Sequence, residues 1–429
     1  MTNEDMIKRD LEVLWHPCTQ MKDHENIPLV PIKSAKGIYL YDFDGNRYID
    51  AVSSWWVNIF GHANEHISRR IKEQLDTLEH VILAGFTHEP VVELSHKLKA
   101  LTKLDKAFYA DNGSSAIEVA LKMSFHYHLN KGEHRKLFLS LENSYHGETL
   151  GALSVGDVAL YKETYGALLI RSIQTPTPKD QSMEEAQSAL VTLEKILKKH
   201  HKELCAMIVE PLVQGAGGMK MYHSHYLKGA RELTLKYGVH FIADEIMTGF
   251  GRTGSMFACE QAAILPDFMT LSKGLTAGYL PLSVVMTTND VYNAFYCDYS
   301  EYKAFLHSHS YTGNPLGCAA ALATLELFEK NDVINANKQK SLFMAQQLER
   351  FRDLKNVKEV RITGMIAVIE LEGYDPKERV GLKIFQAALK NEVLLRPLGN
   401  IIYVMPPYVI TQEELQKVFD VAYEAIVGL

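Results

Sequence analysis

From about residue 60 to residue 320 the chain alternates short apolar runs with longer amphipathic stretches, the pattern of repeated β-α units around a mostly parallel sheet. "KAFYAD", "KLFLSLEN", "LCAMIVEP", "VHFIADE", "FMTLSK" and "LSVVMTT" read as strands. "SSAIEVALKMSFHYHL" reads as a helix, because Ile117, Ala120, Leu121 and Phe125 fall on one helical face, and Ser115 with Glu118 suits an S-x-x-E capping box at its start. The two ends of the chain follow a different pattern. Near the start, "GIYLYDFDGNRYID" has the form of a hairpin turning at Asp44-Gly45, and beyond about residue 330 helical patterns mix with the strand-like "MIAVIELE" and "IIYVMPP". Residues 60–325 are therefore expected to form a large domain, with 1–59 and 326–429 joining as a smaller one.

Several of the strands end in a polar or charged residue, and in open α/β sheets ligands gather at the carboxyl ends of strands. Asp111, Glu210, Asp244 and Lys273 are expected to converge on one crevice. "FIADEIMTGFGRTG" poses the sharpest question, since an apolar run ends there in two adjacent carboxylates, Asp244 and Glu245. A buried charge beside a core strand is costly without a cationic or cofactor partner.

Composition narrows the partners. The chain has 429 residues, 47% hydrophobic and 23% charged, the balance of an ordinary folded protein. A formal charge of −7 and a pI near 6.2 argue against a nucleic-acid partner or an anionic membrane. The opening residues lack the order of a signal peptide, and no run of about 20 apolar residues occurs, so a soluble cytoplasmic protein is expected. Five cysteines at wide spacings without C-x-x-C favour reduced thiols, and 18 histidines without H-E-x-x-H give no reason to expect a metal.

Three local patterns carry chemistry. In "ADNGSSAIE", Gly113 and Ser114 sit between a strand and a helix start, where free N–H groups and the helix dipole favour an anion such as a phosphate; simple capping explains the same residues. Lys273, in "TLSKGLTAGYLPLS", ends an apolar strand; a desolvated lysine favours the amine form that attacks an aldehyde, and a solvated strand-end lysine is the alternative. Tyr145, in "NSYHGET", offers an aromatic face, with His146 and Gly147 making a tight turn, although a core tyrosine reads the same way. Lysine, acid and helix terminus together fit one small molecule, pyridoxal 5'-phosphate, with Asp244 on its ring nitrogen. Glu245 is then left with a structural hydrogen bond or ion pair.

On these motifs, together with "HSHSYTGNP", the sequence resembles the class III, ornithine-type, pyridoxal-phosphate aminotransferases over essentially its whole length. The resemblance implies an α/β protein of fold type I, with a mostly parallel seven-stranded sheet in the large domain and a smaller α+β domain. It implies Lys273 as the catalytic residue that carries the cofactor, Asp244 on the pyridine nitrogen, Tyr145 on the ring and Gly113-Ser114 on the phosphate. The loop holding His309 and Ser310 would reach the phosphate of a neighbouring subunit, so a homodimer with shared sites is implied.

Within the class, "LWHPCTQM", "AVSSWWVNIFGH", "EPLVQGAGGM" and "LLRPLGNIIYVMPPY" resemble the branch that aminates 8-amino-7-oxononanoate, with S-adenosylmethionine expected as donor and lysine as the alternative. That likeness implies Trp55, Tyr145, Lys273 and Ser308 at the substrate and Arg396 on the donor's carboxylate. Trp55 and Trp56 would wall in an aliphatic chain, and an arginine fork suits a carboxylate. The chain departs from the family in Cys18, where an aromatic residue is common, in Glu148 for aspartate and in Ser310 for threonine. Only Cys18 changes the chemical group. The rivals are a class III aminotransferase for ω-amino acids or diamines, and a noncatalytic pyridoxal-phosphate-binding protein, against which the intact Lys273, Asp244 and Tyr145 argue.

Overall fold

The computed structural model describes all residues, Met1–Leu429. Its centre is a seven-stranded sheet of β1 (Lys106–Ala110), β2 (Leu137–Leu141), β3 (Ser172–Thr175), β4 (Leu204–Val209), β5 (His240–Asp244), β6 (Phe268–Leu271) and β7 (Ser283–Thr287). The spatial order is β1-β7-β6-β5-β4-β2-β3, and β7 alone runs antiparallel to its neighbours. Every residue of β4 and β5 is buried, which is why both read as unbroken apolar runs: a parallel strand covered on both faces has no solvated side to mark. Phe241 and Ala243 enter the larger core and Ile242 the smaller one on the opposite face, under the helix α1 (Gly113–Asn130). The edge strand β3, "SIQT", is missing from the apolar runs because it is short and only part-buried.

The predicted capping box of α1 is not made. Asn112 caps the helix instead, its Oδ1 accepting the Ser115 N–H at 3.0 Å. Glu118 is drawn away to accept the N–H groups of Gly151 and Ala152 at 2.7 and 3.3 Å. The helix consequently starts at Gly113 rather than beyond Ser115.

The chain ends meet. Strands Ile32–Lys36, Tyr39–Asp42 and Arg47–Asp50 form a meander that turns through Gly45 at φ +90°, and Val393–Leu394 adds to it in parallel from the other end of the sequence. Val357–Thr363, Ile366–Leu371 and Ile401–Val404 make a separate antiparallel sheet. No helix is long and apolar enough to cross a membrane, and all five cysteines are free, three of them buried.

Arg252, in the loop after β5, ties these parts together. It is 1% exposed, donates to the Pro406 carbonyl at 2.8 Å and the Asn58 carbonyl at 3.3 Å, and lies over the Tyr408 ring at 5.0 Å. Tyr408 in turn donates its hydroxyl to the Phe250 carbonyl at 2.6 Å. Arg252→Leu removes both guanidinium bonds and leaves two buried carbonyls without donors, so the unfolding free energy should fall by about 2–3 kcal/mol in urea melts.

Candidate active site

The question raised by Asp244 and Glu245 is answered by the alternation of a strand, which sends the two carboxylates to opposite sides. Glu245, fully buried, accepts the Thr248 hydroxyl at 2.6 Å and the Cys259 N–H at 2.8 Å, so its role is a structural hydrogen bond and not an ion pair. Asp244, 5% exposed, faces a cavity of about 180 Å³. Its Oδ2 accepts from His146 Nδ1 at 2.7 Å, while Oδ1 accepts the Ile246 N–H at 3.2 Å and the Thr270 hydroxyl at 3.4 Å. His146 Nε2 is buried and has no partner of its own.

Lys273 enters the same cavity from the turn after β6, where its backbone is left-handed at φ +46°. Its Nζ lies 4.7 Å from the centre of the Trp56 ring. Desolvation pulls its ammonium down to about 8, against the opposing pull of the Asp244 and Glu210 carboxylates. Glu210, at the end of β4, accepts the backbone N–H of Tyr145 at 2.9 Å and that of Gly215 at 2.8 Å. Burial pushes its carboxyl up to about 7; His146 and the two N–H groups oppose the rise, and Asp244 adds to it.

Gly113 and Ser114 open α1 at the mouth of this cavity, where the first backbone N–H groups of a helix have no intrahelical acceptor. Gly147 passes them at φ +116°, so close that a Cβ there would lie 2.0 Å from Ser114 Oγ. Only glycine allows the Tyr145–Gly147 turn to approach the helix start. Tyr145 is half-buried, donates its hydroxyl to Glu148 at 2.9 Å and meets Tyr161 edge-on at 5.4 Å; burial, then the Glu148 carboxylate, pushes its phenol far up.

A second cavity of about 500 Å³ holds Trp55, Arg396, Cys18 and a largely apolar wall that includes Leu40, Phe385 and Leu394. The guanidinium of Arg396 lies 4.1 Å from the centre of the Trp55 ring. The two tryptophans do not share this wall, contrary to expectation. Trp55 faces the larger cavity, whereas Trp56 lines the smaller one and donates its indole N–H to Tyr403 at 3.0 Å. The cause is local: Ser53, Ser54, Trp55 and Trp56 are all left-handed, at φ 51°, 46°, 72° and 73°. Asp50, fully buried, holds this turn by accepting the Ser54 N–H at 2.9 Å and its hydroxyl at 2.6 Å, and Ser53 donates to the Met405 carbonyl at 2.8 Å.

The structure thus brings Gly113, Ser114, Tyr145, Asp244 and Lys273 to one cavity, and Trp55 and Arg396 to the other. Asp111 stays outside, 3.3 Å from His309 Nε2. Ser308 and Ser310 are exposed, His309 is half-buried, and none of the three lines either cavity of its own chain. Trp56, His146 and Met247 line the smaller cavity without having been singled out for it. Met247 gives no sequence signal, Trp56 reads as wall of the other cavity, and His146 has a signal in its place beside Tyr145 before a glycine.

The Aminotransferase class-III family profile matches residues 19–426. The chain belongs to the class-III aminotransferases. Class-III aminotransferases work with pyridoxal 5'-phosphate, and the residues of the smaller cavity fit it: a helix start with glycine and serine, a desolvated lysine, and a dry carboxylate with one face turned inward. The fold is that of the solved members. The adenosylmethionine-8-amino-7-oxononanoate aminotransferase of Methanocaldococcus jannaschii superposes with a TM-score of 0.95 at 38% identity, over 99% of each chain. The omega transaminase from Pseudomonas jessenii in complex with PMP gives 0.93 at 26% identity, over 99% of this chain and 98% of its own. Among curated relatives, the adenosylmethionine-8-amino-7-oxononanoate aminotransferase of Helicobacter pylori is 55% identical over 96% of both chains, and that of Anoxybacillus flavithermus 42% identical over 99% of this chain and 96% of its own.

A lysine drawn down to about 8 is an ammonium below that pH and an amine above it. In the cofactor-free aminotransferase, the rate of pyridoxal-phosphate uptake should rise with pH and reach half its plateau near 8 in stopped-flow absorbance. A midpoint near the ordinary lysine value of 10.5 would mean that Lys273 is not desolvated.

Proposed function

We propose that this aminotransferase transfers an amino group to the ketone of 8-amino-7-oxononanoate, giving 7,8-diaminononanoate in biotin biosynthesis, with S-adenosylmethionine as donor. The observation that carries this reading is the 500 Å³ cavity, in which an apolar wall and Trp55 lead to the guanidinium of Arg396, a shape suited to aliphatic chains that bear a carboxylate. The name shared by the Helicobacter and Anoxybacillus relatives supports it. In this reading the enzyme is a cytoplasmic homodimer. Residues 60–325 form its cofactor domain, and 1–59 and 326–429 the smaller one.

Bound pyridoxal phosphate supplies an aldehyde that takes up the amino group and a ring that accepts the electrons of the broken C–H bond. Gly113 and Ser114 would hold its phosphate, helped by His309 and Ser310 of the partner subunit, and Tyr145 would lie against its ring. Asp244, oriented by His146, keeps a proton on the ring nitrogen. The Nζ of Lys273 would take the proton from the donor's α-carbon and pass it to the cofactor's aldehyde carbon, and in the second half-reaction would carry a proton from that carbon to C7 of the acceptor. Arg396 would bind the donor's carboxylate, while Trp55 and Tyr145, with Ser308 of the partner subunit, would line the path of both substrates.

Lysine as donor is the second reading. Cys18 favours it, because a thiol where relatives of this class carry an aromatic ring removes part of the wall an adenosyl group would stack on. The absorbance of the bound cofactor separates the two. Loss of the yellow band with one donor, and its return on adding 8-amino-7-oxononanoate, identifies both half-reactions; a band that neither donor shifts would turn the assignment to an ω-amino acid or diamine aminotransferase.

Lys273→Ala should lower turnover by at least about 10⁴-fold while the thermal melt of the folded protein persists, and retained turnover would sink the proposed proton transfer. Arg396→Ala should raise KM for the donor by roughly 10–100-fold in steady-state assays, with a smaller change for the acceptor.

A further inference from the structure

Glu210 lines the cofactor cavity at 5% exposure and has no part in the roles proposed above. Both oxygens of its carboxylate are committed as acceptors, Oε2 to the N–H of Tyr145 at 2.9 Å and Oε1 to the N–H of Gly215 at 2.8 Å. The residue is itself held from behind, since its carbonyl accepts the hydroxyl of the buried Tyr222 at 2.6 Å. Tyr145 has a looser hold at its other end, where its hydroxyl donates to the exposed Glu148. The turn that begins at Tyr145 touches the whole cofactor site: His146 holds Asp244 Oδ2 at 2.7 Å, and Gly147 packs against Ser114. A shift of the Tyr145 backbone would therefore move the ring, the histidine behind the acid and the helix start together.

We propose that Glu210 is a positioning residue of the transamination, its two-pronged carboxylate fixing the Tyr145–Gly147 turn and so the placement of the Tyr145 ring and the orientation of Asp244. It does this best as the carboxylate, with both oxygens free to accept. An amide nitrogen in place of one oxygen would confront a backbone N–H, and one of the two loops would have to let go. The inference rests on the cofactor roles proposed for Tyr145 and Asp244.

The test compares cofactor-loaded wild type, Glu210→Gln, Glu210→Asp, Tyr145→Ala and the Glu210→Gln/Tyr145→Ala double variant, with turnover expressed per bound cofactor. Glu210→Gln should lower kcat by roughly 30-fold with KM for the acceptor changed by less than about threefold, and should shift the visible absorbance maximum of the bound cofactor. Glu210→Asp keeps the charge on a shorter arm and should fall between wild type and glutamine. In the Tyr145→Ala background, adding Glu210→Gln should cost less than it does in the wild type, because the part transmitted through the ring is gone and only the part passed through His146 to Asp244 remains.

A purely structural Glu210 would lower the melting temperature but leave kcat and the spectrum of the loaded enzyme at wild-type values, which would overturn the proposal. So would a Glu210→Gln penalty of equal size with and without the Tyr145 ring, which would mean that Glu210 does not act through the placement of that ring. If Glu210→Gln does not fold, Glu210→Asp decides: its carboxylate is too short to serve both N–H groups, and wild-type kcat with an unchanged spectrum would overturn the inference. A wild-type chain that takes up no cofactor overturns the proposed function as well. Loaded, active wild type with an indifferent Glu210→Gln overturns this inference alone.

Discussion

The structure depends on satisfying one buried carboxylate at the end of a strand covered on both faces. Asp244 stands where β5 leaves the sheet, preceded along the strand by the apolar Phe241, Ile242 and Ala243. A charge there is sustained by hydrogen bonds from His146, Ile246 and Thr270, which replace the water it has lost. His146 can supply the shortest of these only because the turn after β2 comes across the top of the sheet. That turn in turn needs Gly147 to clear Ser114 and Glu210 to receive the N–H of Tyr145. One buried acid thus sets the arrangement of three strand ends and a helix start.

Around this rigid centre the rest of the site is assembled from distant parts of the chain. Arg252 follows Asp244 by one loop and reaches the Asn58 and Pro406 carbonyls, so the polypeptide that carries the acid also anchors the N-terminal and C-terminal segments. The left-handed turn Ser53–Trp56 uses that anchorage. Each left-handed residue costs roughly 1–2 kcal/mol relative to ordinary backbone, and four in a row persist because Asp50 and the Met405 carbonyl hold the turn from both sides. The strain has a use: it sends Trp56 over Lys273 and Trp55 beneath Arg396, so that adjacent residues serve two cavities.

The desolvation that makes Asp244 demanding also makes Lys273 reactive. Its amine form is favoured by removal from water, while Asp244 and Glu210 restrain the shift so that the group titrates near 8 instead of far lower. The amine is therefore tuned by the same dry cavity that holds the acid. The larger cavity differs in kind, being mostly apolar with Arg396 as a cationic anchor, and it suits the length and chain of a substrate better than it suits the chemistry itself.

The sequence by itself determined six of the seven strands of the central sheet and the strand-end residues proposed to carry the chemistry, because these depend on spacing along a few consecutive residues. A buried parallel strand must be an apolar run, and a charged residue just past its end can meet whatever lies at the sheet's carboxyl edge, as Asp244 and Lys273 do and Asp111 does not. Local spacing misled where a competing partner lay far off. Glu118 left its predicted cap for Gly151 and Ala152, and Asn112 took the position. The edge strand β3 was invisible because a half-covered strand of four residues carries no apolar run. Only the tertiary structure decided that His146 would hold Asp244, that Glu210 would grip Tyr145 and that Trp55 and Trp56 would part company. Each of those outcomes rests on a hydrogen bond or backbone twist linking residues tens to hundreds of positions apart, a relation no periodicity records.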